Sequence, residues 1–164
     1  MINFKKDGVI FNYRVAGVSI HNGKILFHRK ENGSLNENVW TLPGGRVELA
    51  EDSATSLARE YLEEMSCSVE VGRLLWFIEN FFEHKGEYFH EVLPIYIVEI
   101  PKDSDYLDQE EFYGVEGDKK LIFRWMPLDE VMDMEIYPLC LREILDKIPE
   151  NTERIVNREV EHEK

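Results

Sequence analysis

The stretch GGRVELAEDSATSLAREYLEEMSC, residues 44–67, opens with a glycine turn and continues as a segment that predicts a helix over about residues 53–65. At about 100° per residue, Glu60, Glu63 and Glu64 fall on one face of that helix. The adjoining face is apolar and suits packing against a core. The sequence therefore predicts a half-buried helix that presents three carboxylates beside its buried side.

The acidic face of this helix needs a source of positive charge. Carboxylates three or four positions apart on a helix repel one another and weaken it. A divalent cation offsets that repulsion, and carboxylate oxygens suit Mg²⁺, Mn²⁺ or Ca²⁺. Mg²⁺ characteristically uses one or two carboxylates together with waters and substrate phosphate. The pattern therefore predicts a cation site, with a purely structural helix as the alternative.

The stretch resembles the Nudix box, G-x(5)-E-x(7)-R-E-U-x-E-E-x-G-U, in which U is an aliphatic residue. The charged and glycine positions that match are Gly45, Glu51, Arg59, Glu60, Glu63 and Glu64. Tyr61 and Cys67 stand at aliphatic positions, and both can fill apolar space. Ser66 replaces the glycine that would end the helix in the left-handed conformation, which costs another residue about 1–2 kcal/mol. The resemblance is specific over about residues 40–67 and loose elsewhere.

The resemblance implies an α/β/α sandwich with a mixed β-sheet between helices, which is a mixed α+β fold class. It also implies hydrolysis of a nucleoside diphosphate linked to another moiety, with Mg²⁺ or Mn²⁺ as cofactor. The metal ligands that it implies are the Gly45 carbonyl, Glu60, Glu63 and Glu64. The catalytic residues would be Glu51, Arg59, Glu60, Glu63, Glu64 and one further carboxylate from the segment 101–120. Arg59 would pair with Glu51 and hold the loop on the helix; a surface salt bridge to the glutamates is the alternative.

Outside the box, composition and turn signals predict the other elements. Strands are predicted at residues 9–20, 24–29, 68–82, 88–100 and 121–126, and a second helix at residues 137–148. Asn22-Gly23 predicts a tight hairpin, and residues 84–87 predict a second turn between two long strands. Residues 31–38 and 101–120 are predicted as loops.

Candidate substrate contacts come from several segments. His28, Arg29 and Lys30 form either a solvated strand end or a phosphate contact, and the resemblance favours Arg29. Glu48 is expected in an outer shell around the site. Trp76 and His90 are candidates for stacking or polar contact, although most aromatic residues of the long hairpin are expected in the core. The candidates for the further carboxylate are Glu110, Glu111 and Glu116, of which Glu116 is favoured because it precedes the next strand.

The charge balance restricts the partners. Lys and Arg number 19 against 33 Asp and Glu, which gives a formal charge of −14. That charge argues against nucleic acid and against anionic membranes, since both require basic surface. Cys67 and Cys140 lack disulfide or metal-ligand spacing, and no leader or membrane segment is evident, so a cytoplasmic protein is expected. We expect a single domain over residues 1–149 and a charged, disordered tail over 150–164 that would suit a homodimer.

Two other functions stay open at this stage. A Nudix-like domain that senses a nucleotide without cleaving it would not need the whole acidic face. An isomerase of isoprenoid diphosphates would need a cysteine placed to protonate an alkene, and the sequence shows none so placed, although Cys67 and Cys140 are not excluded. A deoxynucleoside triphosphate, a nucleotide sugar and ADP-ribose all remain possible substrates.

Overall fold

The computed structural model describes residues 1–33 and 39–161, whose strands form two sheets. The first sheet contains β1 (Asn3–Lys6), β2 (Val9–Val18), β6 (Gly44–Arg46), β7 (Glu70–His84), β8 (Glu87–Glu99) and β12 (Glu153–Arg158). The second contains β3 (Ile20–His21), β4 (Lys24–Lys30), β5 (Trp40–Thr41), β9 (Glu111–Glu116), β10 (Lys119–Pro127) and β11 (Ile136–Tyr137). Both sheets combine antiparallel with parallel pairs, as in β2–β8 and β5–β11, so the predicted mixed α+β class is confirmed.

In the first sheet the strand order is β1-β2-β8-β7-β12, and β6 also pairs with β2. In the second the order is β11-β5-β4-β10-β9, and β3 also pairs with β4. The two predicted turns join β3 to β4 and β7 to β8. Their central residues, Asn22-Gly23 and Lys85-Gly86, all have positive φ between 50° and 75°. Positive φ at both positions is the type I′ geometry that matches the twist of a hairpin.

The helix α1 (Ser53–Met65) has the predicted bounds. Asp52 caps it, because its carboxylate accepts a hydrogen bond from the Thr55 N–H at 3.0 Å. At the other end Ser66 adopts the left-handed conformation, with φ 53° and ψ 35°, and its N–H donates to the Leu62 carbonyl. Serine therefore takes the conformation in which glycine is usual, at some cost in strain.

The second predicted helix is wrong in extent. Only α2 (Leu141–Ile144) is helical in the segment 137–148. Residues 136–137 pair with β5 as β11, and the following Pro138 has no N–H to donate to a helix. Leu141 and Leu145 are both buried. The apolar spacing thus identified buried side chains but not the backbone conformation that buries them.

The segment 101–120 is not a loop throughout. Its second half forms β9, which turns back into β10 at Gly117. Phe112 is buried, and Gly114 lies against α1 so closely that an added Cβ would be 2.3 Å from the Glu64 carbonyl oxygen. The glutamates at both ends of this short strand concealed its alternation in the sequence. The contact with α1 places Glu116, at the end of β9, beside the helix.

The charged C-terminal segment contains an ordered strand. β12 adds to the edge of β7 in parallel, and the Thr152 hydroxyl donates to the Leu74 carbonyl at 2.7 Å. The expectation of disorder is therefore wrong for residues 153–158. Of the predicted loop at 31–38, residues 34–38 lie outside the described residues. Among the residues described, no helix is long and apolar enough to span a membrane.

Two apolar clusters build the core. The first includes Phe27 and Trp76 together with the buried leucines of the α2 region, and the second includes Leu26 and Tyr61 beneath α1. Successive residues of a strand point to opposite faces, so Leu26 and Phe27 of β4 contribute to different clusters. By the same alternation His28 shares the face of Leu26 and points toward α1.

Candidate active site

Arg59 ties the loop before α1 to the helix. Its Nε donates to Glu51 Oε1 at 3.0 Å and its Nη2 donates to Glu51 Oε2 at 3.1 Å. Nη2 also donates to the Arg46 carbonyl at 3.3 Å. These hydrogen bonds hold the pKa of Glu51 below its usual value, and the same bonds raise the pKa of Arg59. The expected pairing of Arg59 with Glu51 is therefore present.

The three carboxylates of α1 have different surroundings. The side chains of Glu60 and Glu64 are 14% and 6% exposed, whereas that of Glu63 is 58% exposed. Glu60 lies against the Gly45 backbone and accepts a hydrogen bond from Arg59 Nη1 at 3.0 Å. Glu63 accepts from the same nitrogen at 3.2 Å and is otherwise turned toward solvent. Glu60 and Glu64 line a common cavity, and Glu63 is not among its lining residues.

Burial makes negative charge on this pair unfavourable. Burial, followed by the nearby carboxylates of Glu60 and Glu116, raises the pKa of Glu64 to about 9. Burial is also the main cause that raises the pKa of Glu60, although Arg59 opposes it. A positive group between the two carboxylates would reverse these shifts by stabilising the charged forms. The pair therefore has the electrostatic character of a cation site.

His28 is a further site residue, which the sequence interpretation named only together with Arg29 and Lys30 as a solvated strand end or a phosphate contact. Its Nδ1 lies 3.6 Å from Glu64 Oε2, and the ring stacks at an angle on Phe123 with centroids 5.2 Å apart. Burial, with smaller contributions from Arg14 and Lys30, lowers the pKa of His28 to about 3. The ring is therefore neutral, and its contact with Glu64 is not an ion pair. The alternation of side chains along β4 is the sequence signal that could have identified His28 as a buried neighbour of α1.

Basic side chains line the same cavity. Arg29 lies on its wall, as expected, and its guanidinium is 5.1 Å from the centre of the Trp40 ring. Arg14 of β2 also lines the cavity and was missed by the sequence interpretation. Glu116, the favoured loop carboxylate, lies at the end of β9 within 3.7 Å of Lys30 Nζ. The structure thus brings basic groups close to the two buried carboxylates.

The cavity has a volume of about 680 Å³ and extends from α1 to the long hairpin. At the hairpin end Phe82 and Phe89 stack with centroids 4.9 Å apart and an interplanar angle of 6°. Beside them the buried Glu91 accepts a hydrogen bond from Asn12 Nδ2 at 2.7 Å. A volume of this size accommodates a nucleotide-sized ligand. The hairpin end of the cavity is thus aromatic and includes the hydrogen-bonded Glu91, and the other end carries Glu60 and Glu64.

Two predicted substrate contacts do not line the cavity. Trp76 is 1% exposed in the first core cluster and is not among the residues that line the cavity, whereas Asn80 and Phe82 farther along β7 are. His90 lies on the opposite face of β8 from Phe89 and stacks on Phe81 at 4.5 Å. The predictions of Trp76 and His90 as substrate contacts are therefore corrected.

Glu48, unlike these two residues, lies where the sequence interpretation placed it. It lines the cavity, as expected for an outer-shell residue, and it pairs with the Met1 amino group. In this position Glu48 is held by the first residue of the sequence rather than by the box helix.

The residues present fit a divalent cation with few protein ligands. Within residues 1–33 and 39–161, no three His, Cys, Asp or Glu side chains are assembled to hold a metal on their own. The carboxylates of Glu60 and Glu64 and the close Gly45 backbone nevertheless match the usual coordination of Mg²⁺. This ion takes one or two carboxylates and completes its shell with waters and phosphate. The cavity is therefore suited to a cation that binds together with an anionic substrate.

Comparison with models of known protein families shows to which family the chain belongs. The family model described as NUDIX domain matches residues 11–147. The chain belongs to the NUDIX domain family. The predicted family, and with it the assignment of the chain as a Nudix hydrolase, is confirmed. No curated protein matches this Nudix chain at a significant level.

Solved structures share the fold of this Nudix domain at low sequence identity. A MutT protein from Methanosarcina mazei Go1 is 21% identical, with a TM-score of 0.55 over 81% of this chain and 88% of that chain. A NUDIX hydrolase from Nitrosomonas europaea is 19% identical, with a TM-score of 0.59 over 89% and 79%. An ADP-ribose pyrophosphatase from Streptococcus suis is 17% identical, with a TM-score of 0.51 over 88% and 98%.

Proposed function

We propose that this Nudix domain is a pyrophosphohydrolase that depends on Mg²⁺ or Mn²⁺ and cleaves a nucleoside diphosphate linked to another moiety. The observation that carries the proposal is that Glu60 and Glu64, both nearly buried, line a cavity large enough for a nucleotide. Isolated acids would repel a diphosphate, so an acidic cavity end that accepts one requires a cation. Family membership supports the same reaction class.

The roles of the residues follow from their positions. Glu60, Glu64 and the Gly45 carbonyl would hold the cation, and Glu63 would contribute from the solvent side. The cation, when bound, offsets the charge of the diphosphate and activates a water for attack at phosphorus. Arg29 would stabilise the charge that develops on the phosphate leaving group. Arg59 and Glu51 act on the geometry, because they fix the loop that carries Gly45.

The remaining parts of the cavity would receive the rest of the substrate. Phe82 and Phe89 offer flat apolar surface to a ring, since aromatic faces bind such groups at little entropic cost. Glu116 would act as a base or an additional ligand; its carboxylate is near enough to contribute to the raised pKa of Glu64. We expect the protein to act in the cytoplasm on a small molecule rather than on nucleic acid or a membrane, and a homodimer is compatible with the fold.

The test is a panel of nucleoside triphosphates, nucleotide sugars and ADP-ribose, incubated with Mg²⁺ or Mn²⁺ and analysed by mass spectrometry. Glu64→Gln should lower kcat/KM by about 100-fold or more, which corresponds to the loss of about 3 kcal/mol of transition-state stabilisation. Glu63→Gln is the matched control and should cost much less, because that side chain is exposed. Undiminished activity of Glu64→Gln, or activity that resists a chelator, would exclude the proposal. Tight nucleotide binding with no product would favour a sensor.

A further inference from the structure

His28 Nδ1 is a buried polar atom that lacks a hydrogen-bond partner in the part of the chain that the structure describes. The His28 side chain is 9% exposed, and Nδ1 faces the carboxylate oxygen Oε2 of Glu64 at 3.6 Å. A hydrogen bond to the Leu42 backbone favours the protonated His28 ring. Because Nδ1 has no partner, we infer that Nε2 is the nitrogen that donates to the Leu42 carbonyl. Nδ1 therefore presents its lone pair to Glu64.

Two acceptors that face each other in a buried site are stable only when a positive group lies between them. A buried polar atom without a partner costs about 1–3 kcal/mol, so this arrangement calls for an explanation. The compensating group is either a proton shared with Glu64 or a cation bound to both atoms. The two alternatives leave different signatures, because only the second brings an imidazole nitrogen into contact with a metal.

The surroundings of the ring match those of a metal-binding histidine. Such a histidine usually donates its other ring N–H to a backbone carbonyl or carboxylate, which fixes the tautomer and the ring orientation. Leu42 provides that carbonyl here, and Phe123 packs against the ring. Two ligands that are each about 2.1 Å from one ion lie at most about 4.2 Å apart, so the observed 3.6 Å separation is compatible with a shared ion.

We propose that His28 Nδ1 is a ligand of the divalent cation that Glu64 holds, and that this nitrogen makes the site favour Mn²⁺ over Mg²⁺. The inference rests on the proposed function for the presence of the cation. Mg²⁺ is bound through oxygen, whereas imidazole nitrogen suits first-row transition ions. One nitrogen among oxygen ligands thus shifts the metal preference without changing the reaction class.

The experiment measures the ligands of bound Mn²⁺ directly and does not depend on turnover. Mn²⁺ is added to the tag-free full chain, its affinity is measured by electron paramagnetic resonance, and nitrogen coupling is read by electron spin echo modulation with ¹⁴N- and ¹⁵N-histidine. We expect imidazole coupling in the wild type, in His84→Gln and in His90→Gln, and its loss in His28→Gln. We also expect His28→Gln to weaken Mn²⁺ binding by about 10-fold or more and to leave Mg²⁺ binding little changed.

The controls separate the two proposals. His84 lines the cavity and His90 lies on the far face of β8, so loss of coupling in either variant would assign the nitrogen elsewhere and overturn the inference. Bound Mn²⁺ with no imidazole coupling in the wild type would also overturn it, while leaving the proposed function intact. Failure of the wild type to bind Mn²⁺, or unchanged binding in Glu64→Gln, would overturn the proposed function as well. The wild-type spectrum, read together with those of His84→Gln and His90→Gln, decides the question even if His28→Gln does not fold.

Discussion

Gly45 lies so close to Glu60 that a Cβ added to the glycine would be 2.2 Å from the carboxyl carbon of the glutamate. The absence of a side chain at residue 45 therefore lets the loop backbone and the helix carboxylate share one small space. Because Glu60 lines the cavity beside Glu64, this contact links a box glycine to the position of a predicted metal ligand.

Gly45→Ala should reduce activity while preserving the fold. The added methyl meets the end of a flexible side chain, so Glu60 can move aside at little cost in stability, but it then leaves its place at the cavity. We expect kcat/KM with Mg²⁺ to fall by about 10-fold or more, since misplacement of a catalytic group by about 1 Å is costly. Steady-state kinetics and urea unfolding would be measured on the same preparation.

Gly86→Ala is the matched control for this substitution. Its Cβ meets nothing within 4 Å, but Gly86 has φ +75°, so alanine there is strained by about 1 kcal/mol. This variant should be less stable and fully active. If Gly45→Ala also lost only stability, the contact with Glu60 would have no part in placing the carboxylate.

Glu51→Gln should destabilise the protein at neutral pH. The change removes the charge that Arg59 pairs with through two hydrogen bonds, in a contact where the Glu51 side chain is 15% exposed. Charge-assisted bonds of this kind contribute about 1.5–3 kcal/mol, and we expect a loss near the lower end because glutamine still accepts one of them. Urea unfolding at pH 7 gives the difference in free energy of unfolding.

The pH dependence of that difference has a definite sign. The pKa of Glu51 is lower in the folded protein than in the unfolded chain, so its stabilising contribution is present above the unfolded value of about 4.5. It is lost as the pH falls through the lower folded value, where the carboxylate takes up a proton. The wild type and Glu51→Gln should therefore converge in stability in acid, and a constant gap down to pH 3 would show that the charge is not the cause.

Ser66→Gly should stabilise the protein without changing its activity. Ser66 ends α1 with φ 53°, a conformation that glycine adopts without the steric cost that serine incurs. Part of the gain is offset because glycine makes the unfolded chain more flexible, which leaves an expected increase of about 0.5–1 kcal/mol. The measurement is the urea midpoint with unchanged slope. A destabilised Ser66→Gly would mean that the serine side chain contributes contacts of its own.

Ile155→Asp and Val156→Asp test whether β12 is formed in solution. Ile155 packs on the first core cluster, whereas Val156 is 42% exposed on the other face of the strand. A charge at residue 155 should cost about 2 kcal/mol or more, and the same charge at residue 156 should be nearly neutral. Thermal melts of both variants provide the comparison. Equal, small effects would indicate a tail that does not pair with β7.

The sequence by itself determined those features that depend on residues close together in the chain. The helix from Ser53 to Met65 follows from the local pattern of its apolar and charged residues, and the pairing of Arg59 with Glu51, eight positions apart, was implied by the resemblance of this stretch to the Nudix box. The turns at Asn22-Gly23 and Lys85-Gly86 are equally local, because the φ angles they need are set by the residue type. The family pattern consists of the same local spacings.

The tertiary structure alone decided which side chains meet across the sheets. Phe89 faces the cavity and His90 does not, because the register of β8 with β7 fixes which alternate face is covered. His28 and Glu64 are 36 positions apart in the sequence and meet only because β4 packs beneath α1. Glu116 reaches the same site because Gly114 lets β9 approach the helix. Such contacts depend on the packing of whole elements, and a local pattern carries no information about that packing.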